Sequence, residues 1–273
     1  NSCVLKSNFA NFVGGGSYSN VLNNCVLFRN STVNSGGGAA GRTLNNCTVV
    51  SNDYGGLYYC VANNSIVYYN YHPYSYATFV ENSLYSTFNN CCTFPSIGAL
   101  TNKPGLILMG NDLHLQNNSP CINAGNNALV TNSPDLDGNP RIAGGTVDVG
   151  AYEVQSPASV ISYAWLQQYA LPTDGSADFA DADGDQHNNW QEWRTGTVPT
   201  DISSVLKILT LSNTVSGAVV NWQSVSGKKY FLQRSANLAT QPAFQTVNTN
   251  IVGLPGTTSF IDATAVGNGP FFY

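Results

Sequence analysis

The chain has 273 residues, only 9% of them charged, with a net charge of −5 and a pI near 4.9. That balance excludes a nucleic-acid binder, which needs clustered Lys and Arg, and the length suggests two or three domains. No run reaches the roughly 18 apolar residues of a membrane helix, and the seven cysteines form no CxxC pair of the kind that holds zinc.

The first element in chain order is a repeat. "LNNCVLFRN" at 22–30 returns as "LNNCTVVSN" at 44–52 and "ANNSIVYYN" at 62–70. Cys3, Cys25 and Cys47 are 22 residues apart, Ser65 follows after 18 and Cys91 after 26, and the glycine blocks at 14–16 and 36–38 keep the same step. A period near 20 with strands inside it and no LxxLxL pattern predicts a parallel β-helix. Alternation along the strand turns Cys25, Cys47 and Ser65 inward with Leu27, Val49 and Val67. It turns Val26, Thr48, Ile66, Phe28, Val50 and Tyr68 outward. Asn24, Asn46, Asn64 and Asn90 before the strand, and Asn30, Asn52 and Asn70 after it, are expected to stack into hydrogen-bonded ladders and to supply left-handed corners. The stacked cysteines read as small buried fillers, although a disulfide between adjacent coils stays geometrically open. Cys91 and Cys92 must face opposite sides of their strand.

The coils offer little for catalysis. Residues 1–110 hold two acids, Asp53 and Glu81, with no partners at coil spacing, and neither His72 nor His114 has an evident carboxylate or nucleophile beside it. The aromatics are more suggestive. Phe28, Tyr54, Tyr58, Tyr59 and Tyr69 are expected on the outer wall, and Tyr68, Tyr71, Tyr74 and Tyr76 are candidates to face a ligand or partner.

Residues 119–153 read "SPCINAGNNALVTNSPDLDGNPRIAGGTVDVGAYE", after "NNCCTFP". With the Asn/Cys/Gly coils, this stretch resembles secreted bacterial right-handed β-helix surface proteins of the pectin-lyase-like, choice-of-anchor class, over residues 1–155. The resemblance implies that the segment closes the helix and that the protein is exported; it implies no reaction. Asp135, Asp137 and Asp148 are expected to form turns or hold a structural cation there.

Residues 156–200 are predicted as a linker. Ile161, Ala164, Trp165 and Tyr169 fall at helical spacing, and "TDGSADFADADGDQHNNWQEWRTG" follows. Counting from Asp181, oxygen donors stand at the EF-hand positions: Asp181, Asp183, Asp185, the His187 carbonyl, Asn189 and Glu192. Asp174 and Asp178 are possible supplements. Gln186 replaces the glycine of the sixth position, which is expected to weaken or distort the loop. The segment resembles dockerin-like and thrombospondin-type-3-like calcium linkers, which implies structural Ca²⁺ stiffening an interdomain joint.

From 201 to 273, six short alternating runs predict a small antiparallel β-sandwich, immunoglobulin- or fibronectin-III-like, with Trp222 and Tyr230 in its core. The expected fold is therefore all-β: β-helix, short helical calcium-loop linker, sandwich. The expected function is a non-enzymatic extracellular structural protein for adhesion, an envelope or a self-assembling filament. The alternative is a carbohydrate-binding or carbohydrate-cleaving β-helix protein with its active site on upstream coils. The chain opens in mid-coil, so an open strand edge that joins a second copy into a fibre is expected, with extracellular polysaccharide as the other partner.

Overall fold

The computed structural model describes all residues except 72–81, 95–99, 109–110, 132–133 and 268. It divides into two units, Asn1–Asp178 and Phe179–Tyr273.

In the first unit the repeat builds a parallel β-solenoid with three faces. Sheet A stacks Val4–Lys6, Val26–Phe28, Thr48–Val50, Ile66–Tyr68 and Cys92–Thr93. Sheet B stacks Ser17–Tyr18, Ala39–Ala40, Leu57–Tyr58 and Ser83–Leu84, and sheet C stacks Leu22–Asn23, Thr43–Asn45, Val61–Asn63 and Thr87–Asn89. Register follows the repeat: Leu27 pairs with Val49 and Val49 with Val67. Between the faces, Leu22, Cys25, Leu27, Leu44, Cys47, Val49, Leu57, Ala62, Val67 and Cys91 fill the interior. The glycine block is sterically required at Gly37, where a Cβ would lie 1.8 Å from the Asp53 carbonyl oxygen of the next coil.

The asparagines divide the work differently from the expectation. In each Asn-Asn pair the second member takes the left-handed corner: Asn24, Asn46, Asn64 and Asn90 have φ of 52°, 50°, 46° and 51°. The first member stacks instead. Each amide donates to the Oδ1 one coil back, Asn23 to Asn1 (2.7 Å), Asn45 to Asn23 (2.8 Å), Asn63 to Asn45 (2.7 Å) and Asn89 to Asn63 (2.8 Å). The expected ladder after the strand is present and longer, running Asn8, Asn30, Asn52, Asn70, Asn82. The backbone N–H of Asn30 donates to Asn52 Oδ1 (2.9 Å) and that of Asn52 to Asn70 Oδ1 (3.0 Å), while Asn52 Nδ2 also caps the Leu27 carbonyl (3.0 Å). Asn30, Asn52 and Asn70 are wholly buried, so the ladder satisfies backbone groups that water cannot reach.

The outward face of sheet A is not outward. Val26, Phe28, Val50, Ile66 and Cys92 are buried beneath Leu106, Leu113, Leu115, Cys121, Ile122, Val149, Ala151 and Tyr163. The described residues between Leu106 and Tyr163 thus pack along the flank of the solenoid, where the resemblance implies an end-closing segment. "CVLF", "CTVV" and "SIVY" are apolar on both faces, the pattern of a strand covered on both sides. Polar contacts pin the flank: Ala151 N donates to Thr48 Oγ1 (3.0 Å), Gly150 N to the Asn64 carbonyl (2.9 Å) and Asn64 Nδ2 to the Asn126 carbonyl (2.9 Å). Two helices occur after it, α1 (Tyr163–Gln168) and α2 (Asn189–Thr195). The short α1 buries Tyr163 and Leu166, while Trp165 and Tyr169, noted for their helical spacing, meet edge-on at 5.0 Å. Because α1 packs with the flank, and Asp178 holds Ser159 Oγ (2.6 Å) and Val160 N (2.9 Å), the first compact unit runs on to Asp178.

The second unit begins with an acidic loop and α2, then five antiparallel strands. Ile208–Thr214, Gly217–Ser224 and Gly256–Asp262 form one sheet, and Lys229–Arg234 and Gln245–Val252 a second. Val220, Trp222 and Leu232 are its buried apolar core, with Tyr230 edge-on to Trp222 at 5.8 Å. The terminal "PFFY" forms no strand; Phe272 makes a single bridge to Ser235.

Candidate metal centre

The acidic loop is built by its own carboxylates. Asp181 accepts from Gly184 N (2.7 Å) and Gln186 N (2.9 Å), Asp183 from Asp185 N (3.2 Å), and Asp185 from His187 N (2.7 Å). These bonds wind the chain so that single carboxylate oxygens of Asp181, Asp183 and Asp185 lie within 4.8 Å of one another. Gln186 takes φ 78° and Gly184 φ 81°, so the glutamine adopts the left-handed turn expected of glycine instead of breaking the loop. The loop closes where Asn189 N donates to the Ala180 carbonyl (2.9 Å).

Helix α2 then delivers Glu192. Asn188 caps it with a reciprocal pair, its Oδ1 accepting from Gln191 N (3.0 Å) and its N donating to Gln191 Oε1 (2.9 Å), and Gly196 ends it at φ 80°. Glu192 is fully buried, and beyond the nearby Thr197 side chain its carboxylate oxygens meet no donor among the described residues. The inner oxygens of Asp183 and Asp185 are buried without a donor in the same way. Burial, with the charges of Asp183, Asp185 and Asp181, pushes the Glu192 carboxyl up to about 7, the neighbouring Thr197 side chain offsetting this only in part. A buried carboxylate without a donor costs several kcal/mol, so a donor set of this kind fits a hard cation with oxygen ligands. Asp181, Asp183, Asp185 and Glu192, with the His187 carbonyl and the buried Asn189 as the remaining EF-hand positions, are the residues that could hold it. Asp174 and Asp178 are engaged elsewhere: Asp174 accepts from Ser176 N (3.0 Å) and Oγ (2.5 Å), and Asp178 serves Ser159 and Val160.

The acids of the flank segment do a different job. Asp135 accepts from Asp137 N (3.0 Å), Asn139 N (2.8 Å) and Glu153 N (3.0 Å), and Asp148 from Asn123 N (2.7 Å) and Val154 N (2.8 Å). Arg141 is buried among them. The "DLDGNPR…DVGAYE" motif is thus a structural knot in which Asp135, Asp148 and Glu153 accept from backbone N–H groups, while Arg141 Nε is buried without a partner among the described residues. His114 does have carboxylates beside it, contrary to the sequence reading: Nδ1 lies 2.5 Å from Asp112 Oδ1, Nε2 lies 2.6 Å from Asp137 Oδ2, and the ring packs on Tyr152 at 3.9 Å.

The aromatic candidates scatter. Phe28 is buried, with Lys6 and Arg29 over its ring at 5.6 and 4.7 Å. Tyr68 is half-buried and donates to the Thr101 carbonyl (3.1 Å), Tyr71 is exposed, and Tyr74 and Tyr76, like His72 and Glu81, lie outside the described residues. The exposed cluster is elsewhere, at the end of sheet B, where Tyr59 and Tyr85 stack at 4.8 Å and Tyr58 meets Tyr59 edge-on at 4.7 Å. Tyr59 and Tyr85 both sit at left-handed corners that follow paired strands of sheet B, where Tyr58 is in register with Leu84. No protein-family model, curated protein or solved structure matches the chain.

Proposed function

We propose that the chain is a non-enzymatic structural component of a secreted surface protein, used in adhesion, an envelope or a filament, with Ca²⁺ ordering the loop that opens its C-terminal unit. The observation that carries this reading is Glu192, buried beside three aspartates with only the Thr197 side chain to offset them. Calcium at extracellular, millimolar levels occupies even a weak site of this ligand set. The likeness to choice-of-anchor β-helix proteins and to dockerin or thrombospondin-type-3 linkers supports export, and an immunoglobulin-like sandwich is the arrangement we infer for the last five strands. The solenoid supports a scaffold role because its buried asparagines are engaged in hydrogen bonds along the axis. Electron microscopy of the full chain in millimolar calcium and after EDTA tests the proposal. Ordered fibres or sheets that loosen on chelation agree with it; dispersed particles indifferent to EDTA contradict it.

Carbohydrate binding is the second reading, and one observation favours it. The stacked Tyr59 borders a groove of about 500 Å³ lined also by Phe12, Tyr18, Asn34, Ser35 and Tyr58. Exposed flat rings beside amide and hydroxyl groups suit the faces and edges of sugars. A glycan array on the wild-type chain and on Tyr59→Ala separates the readings: binding lost in the variant supports it, and no binding removes it.

A further inference from the structure

All seven cysteines are free thiols, six of them buried. Four line the solenoid interior and are tied down by their own strand: Cys25 donates to the Asn23 carbonyl (3.2 Å), Cys47 to Asn45 (3.3 Å), Cys60 to Tyr58 (3.4 Å) and Cys91 to Asn89 (3.3 Å). Ser65 makes the equivalent bond to Asn63 (2.8 Å), so these positions require a small donor, not a thiol. Cys92 and Cys121 stand apart from this ladder. Cys92 lies on the opposite side of the strand from Cys91, in the apolar layer between sheet A and the flank. Cys121 enters the same layer from the flank and shares one buried cluster with Cys92, whose thiol donates to the Asn102 carbonyl (3.3 Å). The two therefore meet from facing layers. Cys25 and Cys47 are also neighbours, but they project side by side from adjacent strands, and joining them would break two ladder bonds, against the single Cys92–Asn102 bond that a Cys92–Cys121 link displaces.

We propose that Cys92 and Cys121 form a disulfide that staples the flank segment to the last strand of sheet A when the chain matures in an oxidising compartment. The two thiols lose two protons and two electrons and one S–S bond forms. A low-molecular-weight disulfide such as oxidised glutathione accepts the electrons: one cysteine thiolate attacks it and expels a thiol, and the second cysteine displaces the other thiol from the mixed disulfide. Burial holds the Cys121 thiol well above its ordinary value, so the exchange belongs to the stage before the flank docks. The docked bond is then shielded from reductants. The inference rests on the exported-protein reading above and is independent of its calcium part.

The test is peptide mapping of the full chain refolded from the reduced, unfolded state in a glutathione redox buffer. With chymotryptic cleavage after Phe88 and Leu100, a Cys91→Ser background, which copies the serine that the chain itself carries at Ser65, leaves Cys92 as the one cysteine of that peptide. The expected product links Cys92 to Cys121 and leaves every other cysteine open to alkylation after unfolding. Reduction then lowers the melting midpoint by about 5 °C or more, and Cys121→Ser abolishes that response. The same mapping on chain exported to a bacterial periplasm avoids refolding altogether. All thiols free in either natively folded preparation, or a Cys25–Cys47 bond in place of the expected one, overturns the proposal.

Discussion

The Arg141 guanidinium lies 2.9 Å from the Glu153 carboxylate, and both side chains are almost completely removed from solvent. The same guanidinium donates to the carbonyls of Ala151 (2.9 Å) and Tyr152 (2.9 Å), while Glu153 accepts from Ala143 N and Asp148 N, each at 2.9 Å. One cation thus organises the turn of the flank that packs on sheet A. Replacing it leaves Asp135, Asp148 and Glu153 buried together without a counter-charge. Arg141→Met is expected to cost about 3–5 kcal/mol, and Arg141→Met combined with Glu153→Gln less than Arg141→Met alone. Urea unfolding followed by near-ultraviolet circular dichroism measures both; equal losses would refute the charge argument.

Within the asparagine ladder, position decides the cost. Asn52→Leu strands the Asn30 N–H and the Leu27 carbonyl inside the coil and is expected to lose about 3 kcal/mol or more. Asn8→Leu, at the solvent-exposed end, is expected to lose less than about 1 kcal/mol. Comparable destabilisation of the two variants in denaturant titrations would mean that the ladder is decorative.

His114 adds a pH-dependent clamp. Burial pulls its imidazole down, but hydrogen bonds to Asp137 and Asp112 outweigh this and leave it raised above the ordinary value. A base whose pKa is raised by folding stabilises the fold fully below its unfolded pKa, near 6.5, and loses that contribution as pH rises through the higher folded value. All three groups are about 40% exposed, so solvent screening limits the effect to under about 1 kcal/mol. A proton-NMR titration of His114 should show the raised pKa, lowered again in Asp137→Asn.

Gln186 holds its left-handed φ of 78° without a glycine's freedom. Gln186→Gly relieves about 1–2 kcal/mol of strain and adds about 0.5–1 kcal/mol of unfolded-state entropy. The calcium-loaded C-terminal unit should therefore gain up to about 1 kcal/mol, read as a rise in its melting midpoint. A fall would show that the side chain makes a contribution of its own.

Much of the architecture is legible in the residues, and the failures have identifiable causes. The 22-residue step of Cys3, Cys25 and Cys47 and the fixed asparagines are enough to predict parallel coils, because stacking forces register. Burial of Phe28 and Val50 was not legible: a strand apolar on both sides does not say what covers the second side. Nor could adjacent asparagines reveal which one turns the corner, since either tolerates positive φ. The turn that gathers Asp181, Asp183 and Asp185 was legible from spacing alone. The burial of Glu192 was not, because it depends on the short helix that Asn188 caps and Gly196 ends.

Calcium and protons should compete at that helix. With its pKa held near 7, Glu192 is largely protonated in the ion-free loop at pH 6, a state whose stabilising effect fades as pH rises from about 4.5 through 7. Calcium binding is therefore expected to tighten about tenfold between pH 6 and 8, with proton release on binding, measurable by calorimetry in buffers of different ionisation enthalpy. Affinity independent of pH would remove Glu192 from the ligand set.

The most direct measurement is isothermal titration of the full chain with Ca²⁺ at pH 7.5, beside Glu192→Gln and Asp183→Asn. Binding of one ion with a Kd of about 10⁻⁵ to 10⁻³ M, abolished or weakened at least about tenfold in both variants, is the predicted result. No binding up to 10 times that upper limit, roughly 10 mM, or binding indifferent to both substitutions, would contradict a calcium-ordered loop.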